Sequence, residues 1–128
     1  MGTPDPQQSQ MTEALDRLWR QHLPTLEERV AVLENAARIL GKRDLTDDER
    51  AAANSAAHKL AGVLGTFGLT SGTVLAREAE ILCSGNPDTS PAVTKQLAKI
   101  AAQLKAMIAD RRLERSGTES RQQLHSKG

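Results

Sequence analysis

His58 stands in the stretch AAHKLAGVLGTFGL (56–69), and glycines follow it at 62, 65 and 68. Imidazole changes charge near neutrality, with an unperturbed pKa of about 6.5, so a neutral ring is available as a nucleophile or a base. The glycines need a reason of their own. In a helix interior each costs roughly 1 kcal/mol against alanine. Either this segment is not helical, or a partner uses the space that the missing side chains leave.

No second constellation competes with this one. His22, His58, His125 and Cys83 share no ligand spacing, so no metal site is expected. His22 is expected to border the packing face of the first helix. A single cysteine excludes an internal disulfide and fits a reducing compartment. Near a helix end, Cys83 is expected to be a small buried hydrophobe. Glu27-Glu28 and Asp47-Asp48 read as charges at helix starts rather than acid–base pairs. GVLGTFG is glycine-rich but lacks the strand and the Lys-Ser or Lys-Thr of a phosphate-binding loop, so the chain should not use ATP itself.

Composition narrows the setting. The chain has 128 residues, 17 Lys plus Arg against 16 Asp plus Glu, and a net charge of +1. That balance gives no field that would attract nucleic acid or an anionic membrane. Trp19 and Phe67 are the whole aromatic complement, which leaves no stacking platform for single strands. ADRRLER (109–115) is basic but reads as a solvated helix end. No apolar run approaches the length of a membrane span and no signal peptide is evident, so a cytoplasmic protein is expected. Strand formers are sparse, while Ala, Leu, Glu, Arg and Gln abound. The expected class is all-α.

Five helical patterns follow. Residues 1–10 are polar with two prolines and read as a disordered leader; 116–128 read as a disordered tail or linker. The domain is expected over 11–115. A short first helix carries Met11, Leu15, Leu18, Trp19 and His22 on one stripe and stops at Pro24. Thr25 and Glu28 form a capping box for a second, with Leu26, Val30, Leu33, Ala37 and Leu40 inward and Gly41 as its stop. Thr46 and Glu49 cap a third in the same way, with Ala53, Ala56, Ala57, Leu60, Leu64 and Phe67 as its stripe. A fourth runs from Thr70 to about Cys83, with Leu75, Ala79 and Leu82 on one face, ended by Gly85, Asn86 and Pro87. A fifth opens at Ser90-Pro91 and carries Val93, Leu97, Ile100, Leu104 and Met107 or Ile108, to about Arg115. Short connections make neighbours antiparallel. The expected architecture is an antiparallel four-helix bundle with a short additional N-terminal helix across one end.

This frame positions His58. At about 100° per residue with Leu60 at zero, the stripe of the third helix falls within about 60°, whereas His58 lies near ~160°, Gly65 near ~140° and Gly62 near ~200°. The histidine therefore projects from the face opposite the core, beside bare main chain. Either a partner approaches closely there, or an exposed histidine merely neighbours two glycines. Gly68 reads as the bend into the next helix.

AHKLAGVLGTFG resembles the signature of the histidine-containing phosphotransfer (Hpt) domain, with His58, Leu60, Gly62, Phe67 and Gly68 in their places. The resemblance spans roughly Met11 to Arg115. ERVAVLE (28–34) and LAREAEIL (75–82) are further similar to Hpt modules of cyanobacterial-type multidomain response regulators. It implies that His58 exchanges a phosphoryl group with receiver-domain aspartates in a two-component phosphorelay. The protein would be a carrier rather than a kinase. It would need no cofactor of its own, since Mg²⁺ belongs on the partner receiver. Partners would be response-regulator receivers and a hybrid histidine kinase; a monomer is expected. Lys59, Ala61, Gly62 and Gly65 would meet the partner. Where the family usually has Lys or Arg, this chain has Ala61, and Lys59 points about 100° away from His58. That departure supports a rival reading, a docking or scaffold module without phosphorylation. In some members of the family a glutamate orients the histidine ring, and Glu80 stands in the corresponding place. By helix count it lies about 140° from Leu75, where a charge ordinarily faces water.

Overall fold

The computed structural model describes the backbone of residues 6–84 and 90–127 and the side chains of 9–84 and 90–111. Among the described residues are four helices and no strand: α1 (Pro6–Leu40), α2 (Asp47–Thr66), α3 (Thr70–Leu82) and α4 (Pro91–Lys127). Each helix packs on the next and α4 closes on α1, giving a four-helix bundle around one core. No described helix is long and apolar enough to cross a membrane.

The local signals at α2 operate as read. Thr46 Oγ1 accepts from the Glu49 N–H at 3.1 Å, and Glu49 Oε1 accepts from the Thr46 N–H at 2.8 Å. Arg43 holds the same carboxylate from outside, at 2.8 and 3.0 Å. At the other end Gly68 takes φ +74°. There the Leu69 N–H reaches Leu64 O at 2.9 Å and the Gly68 N–H reaches Gly65 O at 3.1 Å. That pair of bonds is a Schellman closure, which needs a left-handed residue after the C-cap Phe67. It turns the chain directly into α3. At the start of α4, Ser90 Oγ accepts from the Val93 N–H at 3.4 Å.

Pro24 does not divide the N-terminal helices. It lies inside α1, and Thr25 is a helical residue rather than a cap. The separate short N-terminal helix is therefore absent; its residues are the first part of a 35-residue helix. A proline in a helix interior costs about 3 kcal/mol through its lost N–H and ring clash. What offsets this is Trp19. Its indole is 1% exposed and meets Phe67 edge-to-face at 5.2 Å, with the Arg111 guanidinium 4.7 Å over its ring. Burying an indole of about 200 Å² is worth about 5 kcal/mol at the usual coefficient, less about 1–3 kcal/mol for its Nε1–H, which is buried without a hydrogen-bond partner. Arg111 is thus half-buried on two aromatic rings, not a solvated helix end. His22 borders the cluster at 6.1 Å from Phe67.

Helical backbone begins at Pro6, within the stretch read as a leader, and α4 runs on to Lys127, beyond the expected end near Arg115. The sequence from 112 to 127 contains no proline to stop it. Gly85, Asn86 and Pro87 lie outside the described residues. The core gathers Leu26, Val30, Leu33, Leu60, Leu64, Leu97, Ile100 and Leu104, all buried. Met11 and Leu18, assigned inward by periodicity, are exposed. On α3 the fully buried positions are Gly72, Ala76 and Ala79, with Leu75 and Leu82 at the flanks. A Cβ on Gly72 would come within 2.8 Å of Met107 Sδ and 3.0 Å of Leu64 Cδ1. The absence of that methyl lets α3 settle closely on α2 and α4, which fixes what the outer edge of α3 can reach.

Candidate functional site

α2 buries Ala53, Ala56, Ala57, Leu60, Ala61 and Leu64. That inward arc turns the residues between these positions outward, and His58 is among them. Its side chain is 71% exposed.

The ring is nevertheless held. His58 Nδ1 lies 2.8 Å from Glu80 Oε2, across the α2–α3 boundary. An ionised carboxylate only accepts, so the bond requires a hydrogen on Nδ1. In the neutral ring the lone pair then sits on Nε2, at the edge away from Glu80. The Glu80 side chain is 27% exposed, so it is partly screened from solvent while it meets the ring. The helix count sets Glu80 off the core stripe, which is correct. It cannot show that this edge of α3 faces the outward edge of α2.

Asn54, one turn before His58, carries no signal in the sequence. Its Nδ2 donates to the Glu80 backbone carbonyl at 2.8 Å. Farther along the same seam, Thr73 Oγ1 donates to Ala61 O at 3.3 Å.

The glycines differ from one another. A Cβ on Gly62 would meet nothing within 4 Å, so the main chain one turn after His58 is open to the outside. Gly65 is exposed too, but a Cβ there would lie 3.4 Å from Thr73 Oγ1, so it faces α3 as well as solvent. Lys59 is exposed. Ala61 is not a contact residue: it is 3% exposed and belongs to the core. α2 packs against both α1 and α3, so its buried arc is wider than the single stripe that spacing suggests.

The remaining candidates recede. Cys83 is 2% exposed, and burial raises its thiol pKa, partly offset by Arg50. A thiol so placed is a poor nucleophile. Among the described residues no group of three or more His, Cys, Asp or Glu side chains could hold a metal ion. The side chain of His125 lies outside the described residues.

The profile of the Hpt domain matches residues 17–117. Protein RcaC of Microchaete diplosiphon is 33% identical over 88 residues, which are 69% of this chain and 14% of that protein. The chain therefore spans about a seventh of the length of that curated relative. No solved structure matches the chain significantly. A profile match that covers most of the sequence, on a chain folded as a four-helix bundle, places it in the Hpt domain family, the histidine-containing phosphotransfer modules of two-component phosphorelays.

Proposed function

We propose that His58 carries a phosphoryl group on Nε2, taking it from an aspartyl phosphate of a receiver domain and returning it to another. The observation that supports this most is the combination of a 71% exposed ring and an Nδ1 engaged by Glu80 at 2.8 Å. The first lets a partner reach the ring, and the second leaves the other nitrogen free to attack.

In the transfer the Nε2 lone pair attacks phosphorus, the N–P bond forms, and the aspartyl O–P bond breaks. The carboxylate leaves with the bonding electrons. The Nδ1 hydrogen stays on the ring, which becomes cationic as the bond forms, and the Glu80 carboxylate faces that charge. Phosphoryl transfer depends on in-line placement and charge stabilisation, and a receiver brings Mg²⁺, acidic groups and a lysine to the phosphoryl oxygens. This chain would present the ring and hold no cofactor of its own. With no nucleotide-binding loop in its sequence, it would act as a carrier rather than a kinase. Gly62 leaves room for the receiver's main chain, and Lys59 and Gly65 border the same face.

The second reading is a docking module that binds receivers without being phosphorylated. Ala61 favours it, because its buried methyl supplies no cation where the family ordinarily has one. Incubation with phosphorylated receiver domains separates the two. Acid-labile, alkali-stable label on the wild type, absent from His58→Gln, supports the carrier. Receiver binding without label supports the docking module.

A further inference from the structure

The order of contacts along the α2–α3 seam gives Asn54 a role, which rests on the reading of His58 as the phosphoryl acceptor. We infer that Asn54 is a positioning residue: it fixes the end of α3 so that the Glu80 carboxylate meets His58 Nδ1, and thereby sets which ring nitrogen is free.

Glu80 lies in the last turn of α3 (Thr70–Leu82). Carbonyls in a last turn lack the N–H four residues on that would normally bond them. Ser84 is that residue for Glu80, and its N–H goes instead to Ile81 O at 3.1 Å. The Glu80 carbonyl is bonded by the Asn54 amide at 2.8 Å. Glu80 is thus tied to α2 twice, by its carbonyl to Asn54 and by its carboxylate to His58. Those two residues are one helical turn apart on the same edge of α2.

The two ties do different work. A glutamate side chain has three rotatable bonds, and a carboxylate–imidazole contact alone leaves the backbone behind it free to shift. Tying the carbonyl fixes the point from which the side chain reaches. Asn54 is half-buried and its side-chain amide hydrogen-bonds to the Glu80 carbonyl, so its influence on the ring runs through Glu80. At the other end of α3, in its first turn, the Thr73 hydroxyl is shared between Ala61 O and Leu69 O, each at 3.3 Å, which leaves the last turn to Asn54.

The test reads the tautomer of His58 by ¹⁵N NMR of the unphosphorylated protein in wild type, Asn54→Leu and Asn54→Gln. Leucine keeps the size of the side chain and removes the donor, while glutamine keeps the amide on a longer arm. The Nδ1–H form should dominate in wild type, decline in Asn54→Leu, and recover in part in Asn54→Gln. The rate of phosphoryl uptake from a receiver should fall about fivefold in Asn54→Leu, the factor that one neutral hydrogen bond commands. The Kd for that receiver should not move, because Asn54 is not a docking residue. A wild-type tautomer ratio in Asn54→Leu overturns the inference. Should that variant fail to fold, Asn54→Ser, too short to span the gap, is read in the same way. If the wild type takes up no phosphoryl group at all, the carrier reading fails, while the tautomer comparison still judges Asn54.

Discussion

Glu80 Oε2 and His58 Nδ1 meet at 2.8 Å although 22 residues separate them in the chain. The contact engages Nδ1, and in the proposed transfer it leaves Nε2 to take the phosphoryl group. Glu80→Gln keeps the shape and can still accept through its amide oxygen, but it removes the negative charge that faces the ring as it becomes cationic. Phosphoryl uptake should fall about tenfold, in the range expected when one charge-assisted hydrogen bond becomes neutral. Glu80→Leu should fall further and shift the ring toward its Nε2–H form. Single-turnover transfer with a saturating receiver measures both. Unchanged rates would make Glu80 a surface charge with no part in the chemistry.

Gly62 tests the open face. With nothing within 4 Å of a methyl placed on its Cα, Gly62→Gln meets no internal obstacle. Replacing glycine in an exposed helical position should hold stability constant or raise it by about 0.5–1 kcal/mol. Receiver binding and transfer should nevertheless drop by an order of magnitude or more. Thermal unfolding and a receiver titration on the same sample check the two halves. A more stable variant that docks normally would mean that the bare main chain serves no partner.

Much of this arrangement is legible in the sequence, and the reasons where it is not are physical. The 3.6-residue period locates Ala53, Ala57, Leu60 and Leu64 inside and His58 outside, because a helix that packs on neighbours has little freedom about its own axis. The Thr46–Glu49 box and the Gly68 bend are legible because both act within a few residues. Glu80 is different. Its meeting with His58 depends on how α3 is rotated and how closely it approaches, and those follow from the Gly72 contact with Leu64 and Met107, which no local pattern encodes. Asn54 is silent for the same reason, since its partner is a main-chain atom on another helix. Ala61 lies in the core rather than on the docking face because two helices flank α2, which counting from one stripe cannot show.

Pro24 marks the clearest local signal overridden by packing, and it makes a prediction about stability. Pro24→Ala restores a backbone hydrogen bond and relieves the ring clash, so it should stabilise the protein by about 1–3 kcal/mol, somewhat less than the full penalty because proline also restricts the unfolded chain. Trp19→Ala should destabilise by about 3–5 kcal/mol, since the indole is 1% exposed and touches Phe67 and Arg111. Denaturant unfolding of the two variants checks both signs. A destabilising Pro24→Ala would show that the proline itself shapes α1 in a way the bundle needs.

Glu49 gives a pH dependence. The Arg43 hydrogen bond, with help from the Thr46 N–H, holds its carboxyl down at about 2 against an ordinary 4.5. A carboxyl whose pKa is depressed on folding adds stability that is complete above its unfolded value and is lost as pH falls toward its folded one. The difference in stability between wild type and Glu49→Gln should therefore be constant above about 4.5 and shrink as pH descends toward about 2. Urea midpoints across that range measure it. A difference that stays flat through pH 3 would mean that the capping box and the Arg43 pair contribute without the charge.

The central claim concerns one atom. The protein, phosphorylated by a receiver and kept at alkaline pH, can be observed by phosphorus–nitrogen correlated NMR with ¹⁵N-labelled histidine. The predicted result is one phosphorus coupled to Nε2 of His58, with none in His58→Gln. Phosphorus on Nδ1, on His22 or His125, or on no histidine would contradict the account.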